Sequence, residues 1–291
     1  MRKIISLLMI LMLLLPAAVA EEAEVTALPM DFSAGCAADP ASYTENGYED
    51  ASLSIQMERI QQDDVTYNVA RVKIAHASQL RTGLEDPERG KKSNYVHTIA
   101  EKYNAVLAIS GDFFVKNSVG YVVRQNEVYR KKPSKSRDML LIDSNGDFHV
   151  IYKSDAAELQ ALLAREDVTF PNIFNFGPVL VDNSEVVAIP EDYGFNLSRP
   201  EPRCAIGQLG ELEYLLVVAD GRSDSSDGAT GAQLAAFMQE QGCITAYNLD
   251  GGDSALMWFG GDYYSRKTKR AQSDIIYFAT TVEAPASTTE E

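Results

Sequence analysis

The alternation of apolar and polar residues predicts a chain built mainly from β-strands. Apolar side chains occupy every second position over residues 53–57 and again over 65–69. The polar run 61–64 separates these two stretches, so together they are predicted to form a β-hairpin. Two more hairpins are predicted at 121–129 and 139–152, the second turning at Ser144-Asn145-Gly146. Shorter strands are expected at 105–109, 204–206, 214–219, 243–249, 257–264 and 275–279.

Three segments have the period and the flanking residues of helices, namely 93–103 with Ser93 as its cap, 155–165 and 231–241. The third is the best defined, because Thr230 and Gln233 stand at capping-box spacing and Gly242 is a suitable stop. Few helices among many strands with short turns predict an α+β fold of mixed, mostly antiparallel sheets with a few flanking helices.

The first 20 residues have the layout of a secretory signal peptide. Arg2 and Lys3 precede an apolar run over 4–15, and small residues follow at 18–20. The run is shorter than the roughly 20 residues that cross a bilayer. We therefore expect cleavage near Ala20 and a secreted or cell-envelope location, without stable membrane insertion.

The rest of the chain divides by composition. Residues 21–50 are acidic and rich in small residues, and they are expected to be loosely ordered. Residues 51–281 are predicted to form a single domain, and 282–291 a disordered tail. After export, one disulfide among the three cysteines would leave one thiol over; these are Cys36, Cys204 and Cys243.

The charge of the chain excludes some partners. The formal net charge is −16, and loss of Arg2 and Lys3 with the signal brings it to −18. Such a chain is repelled by nucleic acid and by anionic lipid. An anionic substrate would have to be met by a local cluster of arginine or lysine side chains and backbone N–H groups.

Candidate chemistry lies in five short polar runs at the ends of apolar strands, where a rigid scaffold can present side chains to a ligand. The runs are Gly111-Asp112, Asn175-Phe176-Gly177-Pro178, Pro202-Arg203, Asp220-Gly221-Arg222 and Asn248-Leu249-Asp250-Gly251-Gly252. Each run taken alone is also ordinary turn chemistry. Gly251-Gly252 is the least ordinary, since two glycines after a buried strand permit close approach of a ligand to the backbone.

Taken together, the runs strongly resemble the phosphodiester glycosidase domain. The resemblance covers roughly residues 65–280 and is carried by the motifs 109–114, 175–180, 202–207, 217–222, 228–235 and 242–254. That domain occurs in the lysosomal uncovering enzyme, which removes N-acetylglucosamine from phosphate-linked mannose tags, and in many exported bacterial proteins. The chain departs from the family pattern in two places. Ser110 replaces a usual Asn, and Asp253 replaces a usual small residue.

The resemblance implies cleavage of the bond between a sugar's anomeric carbon and a phosphate oxygen. A carboxylate can stabilise or trap the oxocarbenium-like transition state of such a reaction. The carboxylate candidates are Asp112, Asp220 and Asp250, with the nucleophile and the base unassigned. The candidates for substrate binding are Arg203, Arg222, Asn248, Gly251, Gly252 and Ser254. Arginine suits the phosphate because its paired donors match phosphate oxygens.

Each candidate also has an alternative interpretation. The two arginines would equally suit structural salt bridges with Asp220 or Asp250, and Asn248 and Ser254 would equally suit capping of the turn. Clustered carboxylates are also suitable ligands for Ca²⁺.

Two functions fit these observations. The first is an exported hydrolase that cleaves sugar-1-phosphodiesters in envelope or exopolysaccharide material. It predicts that Asp112, Arg203, Arg222 and Asp250 converge in one cleft. The alternative is a non-catalytic, polysaccharide-binding envelope protein that uses the same cleft, with Trp258, Tyr263 and Tyr264 as an exposed sugar platform. These aromatics stand in a hairpin pattern, and such residues more often belong to the core.

Overall fold

The computed structural model describes residues 25–285, so the predicted signal peptide and the last six residues of the predicted tail lie outside it. The strands are β1 (Tyr43–Thr44), β2 (Gly47–Glu49), β3 (Leu53–Gln62), β4 (Val65–Ile74), β5 (Leu80–Leu84), β6 (Leu107–Ser110), β7 (Gly120–Arg124), β8 (Glu127–Lys132), β9 (Met139–Ile142), β10 (Phe148–Ile151), β11 (Asn172–Phe174), β12 (Val179–Asp182), β13 (Glu185–Val186), β14 (Arg203–Gly210), β15 (Glu213–Ala219), β16 (Thr245–Asn248), β17 (Met257–Phe259), β18 (Asp262–Tyr263) and β19 (Asp274–Phe278). The α-helices of this part of the chain are α1 (Val96–Lys102), α2 (Ala156–Leu163) and α3 (Gly231–Glu240).

The strands form three sheets in which neighbouring strands pair antiparallel. The nine-stranded sheet has the order β1-β2-β3-β4-β15-β14-β16-β12-β13. The two five-stranded sheets have the orders β10-β9-β11-β7-β8 and β18-β17-β6-β19-β5. This architecture confirms the predicted α+β class, and the three predicted hairpins form as β3/β4, β7/β8 and β9/β10.

The three predicted helices are present, with one shifted start. The capping box of α3 forms, since the Thr230 hydroxyl accepts from the Gln233 N–H. Helix α1 begins at Val96 rather than at residue 93, and Ser93 does not cap it. The reason is that Asn94 is in extended backbone and pairs with Gln272, which takes these residues out of the helix.

The segment before residue 50 is more regular than its composition predicts. Strands β1 and β2 extend the nine-stranded sheet. Ahead of them, the fully buried guanidinium of Arg81 donates to the carbonyls of Pro29 (2.8 Å), Asp31 (2.8 Å) and Ser33 (3.1 Å). A buried cation gathers backbone carbonyls because each bond offsets part of its lost hydration.

The three sheets meet at strand ends, and Arg124 at the end of β7 links two of them. Its side chain contacts Asp112, just after β6, and Asp274, at the start of β19. The Asp250 N–H, just after β16, donates to the Gly111 carbonyl and so ties the nine-stranded sheet to β6. The predicted polar runs are therefore brought to one region.

Three further features bear on the predictions. All three cysteines are unpaired, and Cys204 and Cys243 are buried. Between residues 25 and 285, no helix combines the length and the hydrophobicity needed to cross a bilayer. The prediction of Trp258 as an exposed platform residue is wrong, because it is 5% exposed and packs in the core between α1 and the sheet containing β6.

Candidate functional site

A cleft of about 190 Å³ lies where β14 begins and β16 ends. These strands are neighbours, and Ala205 is opposite Asn248, so the polar runs before β14 and after β16 lie side by side. The lining residues are Phe176, Phe195, Asn196, Glu201, Arg203, Arg222, Asn248, Leu249, Asp250, Gly251 and Gly252. Six of the nine predicted site residues line this cleft, and the other three, Asp112, Asp220 and Ser254, lie outside its lining.

Asp250 is the predicted catalytic carboxylate that lines the cleft. Burial raises its pKa from 3.8 to about 6, and the nearby negative charges of Asp112 and Asp274 act in the same direction. The Ser254 side chain and the charge of Arg270 act in the opposite direction. A carboxyl group with a pKa near 6 can exchange a proton near neutral pH, which general acid–base catalysis requires.

Asp112 belongs to a buried ion cluster behind the cleft. Its Oδ1 accepts from Arg124 Nη2 at 2.7 Å, and Arg124 also binds Asp274 Oδ2 through Nε at 3.0 Å and Nη2 at 2.9 Å. All three side chains are almost fully buried, and burial raises the pKa of Asp274. One guanidinium thus faces two carboxyl groups close to Asp250.

Gly111 is required by this cluster. A Cβ atom at that position would collide with the Asp274 carboxylate. The Gly111 N–H also donates to the Asp274 backbone carbonyl at 3.0 Å, and its own carbonyl accepts from Asp250 at 3.2 Å. The predicted Gly111-Asp112 run therefore connects the buried ion cluster to the cleft.

Arg203 is buried, and its guanidinium donates to backbone carbonyl groups rather than to a carboxylate. It donates to the carbonyls of Ala229 (3.0 Å), Phe195 (3.3 Å), Asn196 (2.9 Å) and Arg199 (2.9 Å). Burial lowers its pKa to about 10. Its side chain bonds to neither Asp220 nor Asp250, so among the described residues the salt-bridge alternative does not apply to it.

Arg222 is the more exposed arginine of the cleft. Its Nε donates to Glu201 Oε2 at 2.7 Å and its Nη1 to Asp253 Oδ1 at 3.0 Å. The carboxylates that it meets are thus not the expected Asp220 and Asp250. Asp253, one of the two departures from the family pattern, also lies 3.4 Å from Arg266. This departure therefore helps to hold Arg222 at the rim of the cleft.

Asn248 lines the cleft and is almost fully buried. Its Nδ2 donates to the Gly177 carbonyl at 2.8 Å, which fixes the orientation of the amide. Its Oδ1 is buried and, among residues 25–285, has no hydrogen-bond partner. A buried acceptor without a partner is uncommon and indicates a ligand or water contact.

The two glycines allow close packing of the cleft floor against β14. A Cβ atom on Gly251 would come within 2.8 Å of the Pro202 carbonyl oxygen. Gly252 has a φ of 62°, and its N–H donates to the same carbonyl at 2.8 Å. The Gly252 N–H is thus already used within the protein.

The remaining predicted residues support the surroundings of the cleft. The Asp220 carboxylate accepts from the Arg266 backbone N–H at 2.9 Å and so positions the segment that follows β18. Ser254 is buried beside Asp250. Neither side chain lines the cleft, although both stand next to residues that do.

Several residues that line or support the cleft were not predicted from the sequence. Glu201 adjoins the recognised Pro202-Arg203 run, and Asp274 opens the last strand, so the rule of polar residues at strand ends would have found both. Arg124 gave no such signal, because a charged residue within a predicted hairpin is normally exposed. Phe195 lay in a stretch without periodicity.

The carboxylates show no arrangement for a metal ion. Within residues 25–285, no group of three His, Cys, Asp or Glu side chains is placed to share one. The clustered Asp112 and Asp274 instead face the guanidinium of Arg124.

Comparison with known proteins assigns the chain to a family. The family model described as phosphodiester glycosidase matches residues 103–279, which is more than half of the 291 residues. The chain belongs to the phosphodiester glycosidase family. The matched region contains every predicted site residue, as well as Arg124, Glu201 and Asp274.

Relatives within and around the family are distant. The uncharacterized protein YomE, derived from the SPbeta prophage of Bacillus subtilis strain 168, is 35% identical over 92 residues, which are 32% of this chain and 14% of YomE. The catalytic domain of zebrafish N-acetylglucosamine-1-phosphodiester α-N-acetylglucosaminidase, auto-inhibited by its pro-peptide, superposes with a TM-score of 0.61 at 18% identity, over 84% of this chain and 86% of that domain. A hypothetical protein of Synechocystis gives a TM-score of 0.57 at 18% identity, over 78% of this chain and 62% of the other. At these identities the two structures show a shared fold.

Proposed function

We propose that this protein is an exported hydrolase that cleaves the glycosidic bond of sugar-1-phosphodiesters in envelope or exopolysaccharide material. The observation that carries the proposal is that Asp250 and Arg222 line the same cleft. Family membership supplies the reaction class. The signal-like residues 1–20 motivate the exported location.

Asp250 serves in this proposal as the reacting carboxylate. Water attacks the anomeric carbon while Asp250 takes its proton, and the electron pair of the breaking C–O bond moves onto the phosphate oxygen. The products are the free sugar and a phosphate monoester. Because phosphate is a good leaving group, the reaction needs no strong general acid. The alternative, attack by Asp250 itself on the anomeric carbon, leads to the same products through a covalent intermediate.

Arg222 serves as the phosphate ligand. Its guanidinium is held over the cleft by Glu201 and Asp253 and remains accessible at the rim, with 47% of its side chain exposed. A phosphodiester that exchanges for one of these carboxylates keeps the charge-assisted bonds of Arg222 and gains a fixed orientation. Arg203 acts through the backbone that it holds, and Asp112 acts through the charge it places near Asp250.

The test is release of reducing sugar from a panel of methyl phosphodiesters of sugar 1-phosphates, with and without added Ca²⁺. The unaltered protein is compared with Asp250→Asn and with Glu166→Gln, which changes an exposed carboxylate outside the cleft lining. Turnover that Asp250→Asn abolishes and Glu166→Gln retains supports the proposal. Binding of these diesters without any turnover would instead favour the polysaccharide-binding alternative.

A further inference from the structure

The cleft has an aromatic wall that the predicted site residues do not include. The rings of Phe176 and Phe195 stack with centroids 4.4 Å apart and planes inclined by 12°. Phe176 is 4% exposed and belongs to the core, whereas Phe195 is 36% exposed. Both line the cleft. The inner ring is therefore fixed by packing, and the outer ring is presented to solvent.

The outer face of Phe195 is left open by its charged neighbour. The Arg137 guanidinium carbon lies 4.6 Å from the Phe195 centroid and 5.5 Å from the Phe176 centroid. Since these centroids are only 4.4 Å apart, Arg137 must lie beside the stack. A position beyond Phe195 would place it much farther from Phe176. Arg137 thus supports the stack without covering the face that points away from Phe176.

The position of Phe195 is imposed by the surrounding structure. Phe195 and Asn196 have φ values of 57° and 49°, a left-handed conformation that is uncommon for an aromatic residue. Such a conformation persists only where other contacts hold it. The contacts are those of Arg203, which donates to the carbonyls of both residues. The buried arginine therefore sets the placement of the aromatic wall.

The polar groups beside this wall include two acceptors. The Oδ1 of Asn248 has no hydrogen-bond partner among residues 25–285, and its Nδ2 donates to the Gly177 carbonyl. Glu201 adds a carboxylate to the same lining. Sugar hydroxyl and amide N–H groups can donate to these acceptors. A carboxylate on the sugar would be repelled by Asp250, and also by Glu201 once the phosphate has displaced Glu201 from Arg222.

We infer that Phe195 is the platform for the sugar ring, and that the site selects uncharged pyranoses over acidic sugars. The inference rests on the proposed function for the place of the sugar in the reaction. The C–H face of a pyranose packs on the open face of Phe195, a hydroxyl or amide N–H donates to Asn248, and the phosphate extends toward Arg222. Aromatic side chains with a few fixed polar groups are the usual lining of such small-molecule sites.

The experiment measures kcat and KM for the methyl phosphodiesters of glucose 1-phosphate and of glucuronic acid 1-phosphate. The variants are Phe195→Ala, Phe195→Trp and Glu201→Gln, with Tyr95→Ala as a control on another exposed aromatic. We expect Phe195→Ala to raise KM for the glucose diester roughly 3- to 10-fold with kcat nearly unchanged, as for the loss of one aromatic contact. Phe195→Trp should keep KM close to that of the unaltered protein. Glu201→Gln should reduce the ratio of kcat/KM for the glucose diester to kcat/KM for the glucuronic acid diester.

The outcomes separate this inference from the proposed function. Turnover by the unaltered protein with an unchanged KM in Phe195→Ala overturns the platform and leaves the hydrolase standing. Equal efficiency on both diesters overturns the selection of uncharged sugars. If the unaltered protein turns over neither diester, its affinity for the glucose diester, measured by calorimetry, tests the platform role of Phe195 instead. Weaker binding by Phe195→Ala than by the unaltered protein supports the platform, and equal binding or none in both overturns it.

Discussion

Replacing Asp250 with Asn is predicted to stabilise the protein at neutral pH while it abolishes turnover. The folded-state pKa of Asp250 is raised from 3.8 to about 6. Between these values the folded protein keeps a proton that the unfolded chain has lost, so stability falls as pH rises through this window. Above it the ionised carboxylate carries the full cost of its burial, which asparagine avoids.

The magnitude follows from the same pKa. The difference between 3.8 and about 6 corresponds to roughly 3 kcal/mol, at 1.36 kcal/mol for each pKa unit. We therefore expect Asp250→Asn to raise the free energy of unfolding by up to about 3 kcal/mol at pH 7.5 and by little at pH 3.5. Loss of a proton-transferring carboxylate lowers kcat by roughly 10²- to 10⁴-fold.

The assay is urea unfolding at pH 3.5 and pH 7.5, read as the midpoint at constant m-value. Glu166→Gln is the control, since it removes an exposed carboxylate outside the cleft lining and should leave the midpoint unchanged at both pH values. An Asp250→Asn protein that is no more stable than the unaltered protein at pH 7.5 would refute the reasoning, as would a gain of equal size at both pH values.

Three further predictions test the neighbouring groups. Arg222→Gln should lower kcat/KM roughly 10- to 100-fold, mainly by raising KM, because it removes charge-assisted bonds to phosphate. Steady-state kinetics on a series of diesters measures KM, and an unchanged KM would contradict the role of Arg222 in phosphate binding. Gly111→Ala should abolish activity and destabilise the fold, because its Cβ collides with Asp274, whereas Gly210→Ala, whose Cβ would meet only a Glu213 oxygen at 3.9 Å, should fold with a normal melting temperature. Arg124→Leu should lower the free energy of unfolding by about 3–5 kcal/mol at pH 7, because it leaves buried carboxylates without their cation. The loss should be smaller at pH 3.5, since burial raises the pKa of Asp274 and favours its neutral form there; urea unfolding that shows an equal loss at pH 3.5 and pH 7 would contradict this cause.

The strand framework was readable from the sequence because its signals are local. Alternation over 53–57 and 65–69 predicted the β3/β4 hairpin, and the Thr230/Gln233 spacing predicted the start of α3. The shift at α1 could not be read in the same way. It depends on Asn94 pairing with Gln272, which lies 178 positions further along the chain.

The site was predictable to the extent that polar residues stand at strand ends. That rule and the family resemblance found Asp250, Arg222 and Asn248. The rule could not distinguish residues that face the cleft from residues that hold it, because both kinds are polar and adjacent. Arg203 shows this most clearly, since its donors are occupied by carbonyls from residues 195, 196, 199 and 229.

The aromatic wall lay beyond sequence reasoning for a different reason. Phe195 is placed by a left-handed backbone, by stacking on Phe176 and by contacts from Arg203, and all three depend on tertiary structure. Its neighbours in the chain carry no period that marks a strand or a helix.

The central claim, that the scissile bond is the one between the sugar and the phosphate oxygen, is tested most directly by hydrolysis in ¹⁸O-labelled water. The products of a sugar-1-phosphate methyl diester are separated, and the mass of each is measured. The proposed mechanism places the label on the anomeric oxygen of the released sugar and leaves the methyl phosphate unlabelled. Label in the phosphate product would mean attack at phosphorus, and would contradict a glycosidase mechanism at Asp250.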